Sequence, residues 1–461
     1  MYIKKKIPQI YFLFLISHLV IWTFIPYFTN TNLPLDTIEA LAWGSNLDWG
    51  FNKHPPFSAL VVQIFYSIFG ANDFFYYLLS QIFIVIGFIY LWKLCNEFFQ
   101  NNFYSLLSVL ILETIVFFNY TTPEFNVYVC QIPLKALTVY FFWKSINLNK
   151  IKDWSLVGIF SAVGMLTHYS FIFLILSLLI FFIFFLNKNK KIFKNFIFSF
   201  AIFILIFSPH LVWLIENNFV TIKYAFSRSG IEEKYLIDHF LKPSVFLSKQ
   251  IGMLSIFFIT FFLIFNPNKK KINFKKINQK KLFIFSISLM PILIVLIISI
   301  LFGARIRTMW MSTFYLYFGL MIFYFFQEKI SFINYKRFIY IFSFVFFLSP
   351  ITYLYISLTN EFKRTDYPGK EISRLVQNKW DKNYLNEIKI VVGDEWFAGN
   401  LSYHLKSRPK WLNELKETEE LLKINENQGV IYTGNPKILK SICPGVFGTI
   451  KPVGYCMIGI K

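Results

Sequence analysis

The chain has 461 residues, 56% of them hydrophobic and only 15% charged, with 60 phenylalanines and a formal net charge of +21. Soluble domains carry about 25% charge, and repeated apolar windows of about 20 residues match the thickness of a hydrocarbon core, so the composition excludes an ordinary soluble protein and predicts a polytopic helical membrane protein. The positive surplus sits in short lysine runs between apolar segments rather than on one continuous basic face, which is the pattern of cytoplasmic loops and argues against a nucleic-acid partner.

Lys4, Lys5 and Lys6 precede a first apolar run over 9–28. The run is too long for a signal-peptide core and lacks a small-residue cleavage site, so it predicts a retained first helix with a cytoplasmic N-terminus. The next stretch, 35–56, is the first polar ground. It gathers Asp36, Glu39, Asp48, Lys53 and His54 among aromatics and two glycines. The apolar segment that follows, 56–70, is bounded by Pro55-Pro56 and Gly70 and is too short for a full span. It predicts an interfacial or re-entrant helix, which extends the first external loop over 29–73.

A helix over 74–94 follows. Further spans are predicted at 104–118, 126–143, 154–169, 170–186, 195–214, 244–265, 282–302, 310–326 and 338–358. Eleven crossings result. The predicted inside loops, including the lysine runs at 188–194 and 269–281, collect 20 Lys and Arg, whereas the outside loops before residue 359 collect 7. That asymmetry supports the assigned orientation. From 359 the charged residues become frequent, and 388–392 and 429–434 read as short strands beside glycine turns. The expected organisation is a transmembrane domain over 1–358 and a small extracytoplasmic α/β domain over 359–461.

Cys95 and Cys130 fall in helices and read as inert small apolar residues. Cys443 and Cys456 lie in the C-terminal segment, where an oxidising compartment would permit a disulfide.

Asp36 and Glu39 are three apart. One reading makes Asp36 a helix N-cap with Glu39 completing a capping box. The other makes them catalytic, a carboxylate at the membrane interface deprotonating an acceptor hydroxyl for attack on an activated sugar carbon. Lys53 and His54 are candidates to meet the phosphate of a lipid-linked donor, or Lys53 simply faces headgroups. Glu124 and Asn126, in the next external loop, are candidates for the same cavity or solvated loop residues. His168 and Tyr169 mark the outer end of another span, as do His210, Trp213 and Glu216. Arg305 and Arg307 form an outward cluster against the topological trend and suit a phosphate or lipid headgroups. Lys135 inside a span is expected to snorkel or to pair with a carboxylate.

Several of these segments together resemble a known family. Asp36-Thr37-Ile38-Glu39-Ala40-Leu41, Trp43-Gly44 and Trp49-Gly50-Phe51-Asn52-Lys53-His54-Pro55-Pro56 look like the first-loop signature of bacterial family 39-type glycosyltransferases. These are relatives of the protein O-mannosyltransferases and the aminoarabinose lipid A transferase within the GT-C superfamily. The likeness continues through Phe125-Asn126, Leu166-Thr167-His168-Tyr169, Ser208-Pro209-His210, Tyr367-Pro368-Gly369, the run from Val392 to Asn400, and Arg408-Pro409.

The resemblance implies a multi-spanning inverting transferase that takes a sugar from a polyprenyl-phosphate donor on the non-cytoplasmic face of the bacterial inner membrane. Asp36 stands at the expected catalytic position and His54 at the position expected near the donor phosphate, and Glu39 is read from its spacing as support for Asp36. Relatives usually carry lysine where His168 stands. The expected partners are the lipid-linked donor, membrane lipids and an envelope acceptor, whether lipid A, another glycan or a protein. No metal or other cofactor is expected to be required, although Asp36, Glu39 and His54 are ligand types for a divalent ion. The rival reading is a transporter or flippase of lipid-linked sugars, which would be expected to show paired halves with broken midplane helices.

Overall fold

The computed structural model describes residues 2–186, 190–230, 235–265, 278–330, 332–413 and 428–461. The lysines counted above at 188, 234 and 269–276 lie outside the described residues. Each predicted span contains helix, but the backbone departs from straight rods where proline, polar groups or tertiary contacts intervene.

Helix α1 (Tyr2–Thr29) opens the bundle, and two short helices follow in the first loop, α2 (Leu35–Ser45) and α3 (Phe57–Phe69). The 13-residue α3 ends on Gly70, whose positive φ of 63° suits a residue without Cβ. The long α4 (Asp73–Phe98) packs against α1 and against α6 (Val127–Leu148). Between them α5 (Asn102–Leu110) gives way to tight 3-10 turns over Ile111–Thr114 and Val116–Phe118. At that break the buried Glu113 pairs with the equally buried His18 of α1, Oε1 to Nδ1 2.6 Å. A lone carboxylate there would be costly, and the pairing offsets much of that cost.

Helices α7 (Ile151–Met165) and α8 (Phe171–Leu186) are joined by the turn that carries His168 and Tyr169. Helix α9 (Phe193–Glu216) is followed by α10 (Val220–Ser229), a short helix in a segment that no predicted span covers. The segments over 244–265 and 282–302 are bent pairs rather than single rods. They form α11 (Asp238–Met253) with α12 (Ser255–Ile264), bent by 56°, and α13 (Gln279–Ser288) with α14 (Met290–Phe302), bent by 47°. A 3-10 segment, Thr308–Tyr317, runs into α15 (Phe318–Phe326), and α16 (Phe332–Thr359) closes the bundle.

Among the described residues, five helices are long and apolar enough to cross a membrane, or seven when each bent pair counts as one span. The fold is therefore that of a multi-pass helical membrane protein. Large apolar side chains such as Leu205 and Tyr340 face outward along α9 and α16, as expected where lipid is the solvent.

Lys135 of α6 is fully buried. Its Nζ donates to Thr313 Oγ1 and lies 3.3 Å from the centre of the Phe314 ring. Among the described residues no carboxylate pairs with it, and being fully buried it does not snorkel. A hydroxyl acceptor and an aromatic face take those roles.

The C-terminal segment folds as a mixed sheet. Its strands are β1 (Ile390–Val392), β2 (Lys410–Leu412), β3 (Val430–Gly434), β4 (Val446–Ile450) and β5 (Val453–Ile458), in spatial order β2-β1-β3-β5-β4. The first three run parallel, while β5 is antiparallel to both β3 and β4. Helices α17 (Gly369–Asn383), α18 (Phe397–His404) and α19 (Pro436–Ile442) cover it. Cys443 and Cys456 are joined in a disulfide with Cα atoms 5.6 Å apart.

This cap sits on the first loop and shares a hydrophobic core with it. Ala42, Trp43, Phe51 and Ala59 belong to the same buried cluster as Val391, Ala398, Leu401 and Ile431. The approach is close at Gly399 of α18, where a Cβ would stand 3.1 Å from Ala42 and 3.2 Å from Ile38. Polar contacts reinforce the seam. Arg408 donates to the Leu41 carbonyl at 2.6 Å and to Gln63 at 3.2 Å, with its guanidinium 4.1 Å from the centre of the Tyr66 ring. Asn32 donates to Asn400 at 2.8 Å.

Candidate active site

Below that seam lies a cavity of about 1170 Å³. Asp36, Glu39, Lys53, His54 and Glu124 line it, with His168 and Tyr169 from the α7–α8 turn. Its floor and flank are apolar, with Ile172, Phe173, Val295, Ile298 and Trp310 among the lining side chains.

Asp36 lies in the first turn of α2, one residue inside the helix, and the N-cap position is held by Pro34, which makes no side-chain cap. The capping-box reading of Asp36 and Glu39 is therefore corrected. The orphan N–H of Asp36 donates instead to Glu124 Oε1 at 3.0 Å, so a carboxylate from the 119–126 loop satisfies the helix start. Thr37 ties the same two segments through its hydroxyl to the Phe125 carbonyl, 3.1 Å. Burial, and then the charge of Glu124, raises the Asp36 carboxyl well above its ordinary range, against the opposing pull of Lys53 and Arg364. Glu124 is also raised, chiefly by burial. Two carboxylates facing one cavity in this way keep a proton at neutral pH more readily than either would alone.

Glu39 sits one turn further along the same side of α2. Its Oε1 is 2.7 Å from Lys53 Nζ, and Lys53 is also 3.2 Å from Glu395 of the cap. Burial pushes Glu39 up to about 7 despite Lys53. Burial acts to lower Lys53, but Glu39 and Glu395 outweigh it and hold the ammonium above its usual value. Lys53 is thus a cation already engaged by two anions.

His54 is held well below its ordinary value by burial, then by His168 and Lys53, so its ring is neutral at physiological pH. It packs against the rings of Trp43 at 5.8 Å, His168 at 5.3 Å and Tyr224 at 6.5 Å. The Ser170 N–H donates to His168 Nδ1 at 3.1 Å, which leaves Nε2 of the neutral ring as the protonated nitrogen. Tyr169 is fixed by its hydroxyl to His210 Nε2, 2.8 Å, while His210 Nδ1 meets the Trp49 carbonyl at 2.6 Å. Asp48 accepts from Trp213 Nε1 at 2.7 Å and so anchors the loop to α9.

The remaining predicted residues divide. Arg307 lines the cavity. Arg305 is exposed outside it, with its backbone N–H bonded to Ser229. Asn126 is buried and caps α6, its side chain accepting from the Tyr128 and Val129 N–H groups, 3.0 Å each, so it does not line the cavity.

The structure adds residues that sequence reasoning missed, namely Tyr128, Tyr224, Arg228, Lys363 and Arg364 in the wall and Glu395 behind Lys53. Glu395 lies within the run from Val392 to Asn400 that carries the family resemblance. Among the described residues, neither Arg228 nor Arg307 has a carboxylate at ion-pair distance. Two guanidinium groups left unpaired beside a cavity make a site suited to an anion. Among the described residues, no group of three or more His, Cys, Asp or Glu is arranged to hold a metal ion.

Comparison with known proteins bears on this geometry. Residues 53–213 match the family described as dolichyl-phosphate-mannose-protein mannosyltransferase. The family resemblance is borne out. So is the expectation of a glycosyltransferase, through that same match. A crystal structure of ArnT from Cupriavidus metallidurans bound to undecaprenyl phosphate is similar over 96% of this chain and 97% of its own, with a TM-score of 0.68 at 10% identity. The apo structure of the same protein gives 0.63 at 10% identity over the same shares. At that identity the likeness is one of fold, and it extends from the first helix through the cap. No curated protein matches the chain in sequence.

Proposed function

We propose that this protein is an inverting glycosyltransferase that moves a sugar from a polyprenyl-phosphate donor to an envelope acceptor, whether lipid A, another glycan or a protein. One observation carries the reading. Raised carboxylates, Asp36 and Glu124, converge on a cavity that Arg228, Arg307, Lys363 and Arg364 also line, with Arg364 close to both carboxylates.

In this reading Asp36 is the general base. It takes the proton from the acceptor hydroxyl as that oxygen bonds to the sugar's anomeric carbon, while the bond from that carbon to the phosphate oxygen breaks. The leaving polyprenyl phosphate keeps the electron pair. Its growing charge is met by the guanidinium groups and by hydrogen bonds from neutral His54. Attack opposite the leaving group inverts the anomeric centre. No metal is required for that charge balance. The apolar flank suits a polyprenyl tail, and the undecaprenyl phosphate bound to the ArnT fold supports this choice of donor.

The membrane arrangement proposed with it has eleven crossings in a bacterial inner membrane, a transmembrane domain over 1–358 and a cap over 359–461. The N-terminus is cytoplasmic, and the site and cap are periplasmic. The Cys443–Cys456 disulfide supports an oxidising side for the cap.

The test is transfer by purified, reconstituted protein given polyprenyl-phosphate sugars and envelope lipid acceptors, read by mass spectrometry. The expected result is a glycosylated acceptor together with free polyprenyl phosphate. Movement of intact lipid-linked sugar across the vesicle, with no release of polyprenyl phosphate, would replace the transferase reading with a flippase.

A further inference from the structure

We propose that Glu395, carried by the C-terminal cap, is a positioning residue of the transfer site that acts on Glu39 through a shared Lys53. The inference rests on the transferase reading above and adds to it a route by which the cap acts on the chemistry.

Its basis is the way three distant segments meet. Lys53 Nζ lies between Glu39 Oε1 at 2.7 Å and Glu395 Oε1 at 3.2 Å, and all three side chains are largely buried. Asn52 Nδ2 donates to the same Glu395 oxygen at 3.2 Å, so one carboxylate gathers two consecutive residues of the first loop. Both ends of this bridge are held rigidly. On the loop side, the Phe51 N–H donates to the His54 carbonyl at 3.0 Å, and the Phe51 carbonyl accepts from Thr221 at 2.7 Å.

On the cap side, Glu395 sits in the turn from β1 into α18. Gly393 there has φ of 145°, and a Cβ on it would collide with Thr433. The Asp394 carboxylate closes the turn by accepting from the Trp396 and Phe397 N–H groups, 2.8 Å each. The backbone of Glu395 is therefore fixed at the mouth of this turn.

A bridge that served only to fasten the cap would be poorly chosen. Burying an ammonium with two carboxylates leaves an uncompensated negative charge, and the desolvation cost offsets much of the attraction. The seam already has Arg408, the Asn32–Asn400 pair and a shared apolar core. What the bridge does instead is divide the Lys53 charge. Glu39 faces Asp36 on its own helix, Lys53 from the loop and Glu395 from the cap, while Glu124 and Arg364 stand around Asp36. An ammonium held between two carboxylates cannot close fully on either, and the Glu395 charge itself opposes ionisation of Glu39, so Glu39 stays protonatable near neutral pH beside the base.

The test uses the full-length protein in lipid with Glu395→Gln, Lys53→Met and the double variant, and follows the transfer rate against pH. Glu395→Gln gives Lys53 wholly to Glu39, so the acid limb moves to lower pH by roughly half a pH unit. Lys53→Met moves it the opposite way. In the Lys53→Met background, Glu395→Gln moves it less, because only the direct repulsion between Glu395 and Glu39 remains and the shared ammonium is gone. A purely structural role would lower the rate or the Tm of Glu395→Gln and leave the limb where it was, and that result overturns the proposal.

If the wild-type protein transfers no sugar from any polyprenyl phosphate, the transferase reading fails by itself. The bridge is then decided by thermal unfolding. Tm losses of the two single variants that sum to more than the loss of the double variant sustain it, and additive losses refute it.

Discussion

Replacing Asp36 with Asn separates the chemistry of the site from its stability. The change removes the carboxylate but keeps the backbone N–H that donates to Glu124, and Pro34 still begins the helix. An amide cannot accept the acceptor's proton, and loss of a general base typically costs about 10²–10⁴ in rate, or roughly 3–5 kcal/mol of barrier. Stability moves the other way. Burial and Glu124 raise the Asp36 carboxyl above its ordinary value. The folded protein therefore binds that proton more tightly than the unfolded chain does. The associated stability is present at low pH and is lost as pH rises from the ordinary carboxylate range, about 4, through the raised folded value. Each pH unit across that window is worth about 1.4 kcal/mol. The Asn variant, neutral throughout, escapes the loss. Turnover should fall at least about a hundredfold, while the Tm measured by tryptophan fluorescence should exceed wild type at about pH 8 and converge with it below about pH 4. Near-normal turnover would remove Asp36 as the base. A Tm below wild type at the higher pH would show that the ionised carboxylate stabilises the fold, contrary to the argument.

Two further expectations concern the cap. Arg408→Leu leaves the Leu41 carbonyl and Gln63 without their charged donor and removes the contact with Tyr66. Hydrogen bonds to charged groups are worth about 1.5–3 kcal/mol each, so the cap should become sensitive to protease at lower temperature, and an unchanged digestion profile would show that the apolar seam suffices. Replacing Cys443 and Cys456 with serine opens a closure 13 residues apart in sequence, which should cost roughly 2–3 kcal/mol. It should appear as a lower Tm in the double variant and in reduced wild type alike, and a reductant effect persisting in the variant would point elsewhere.

Much of this protein was legible in its sequence because lipid imposes length. Long apolar runs between lysine clusters mark helices wherever backbone groups must pair internally, and the alternating apolar residues near 388–392 and 429–434 marked two strands of the cap. The residues of the first loop that face the cavity were also readable, since Asp36, Glu39, Lys53 and His54 lie within one short polar stretch.

Pairings across long sequence separations were decided only by the tertiary structure. A capping box would have served the Asp36 N–H from the Glu39 side chain, and only the return of the 119–126 loop supplied Glu124 in its place. Lys53 read as a free cation until Glu395, more than three hundred residues away, was folded onto it. Asn126 and Glu124 are two residues apart and looked equivalent, yet helix α6 begins directly after Asn126, so the carboxylate faces the cavity and the amide caps the helix. Composition and periodicity specify what each segment must bury. Which charge meets which is fixed by the packing of the cap on the first loop, where burial makes every unpaired polar group costly enough to select its partner.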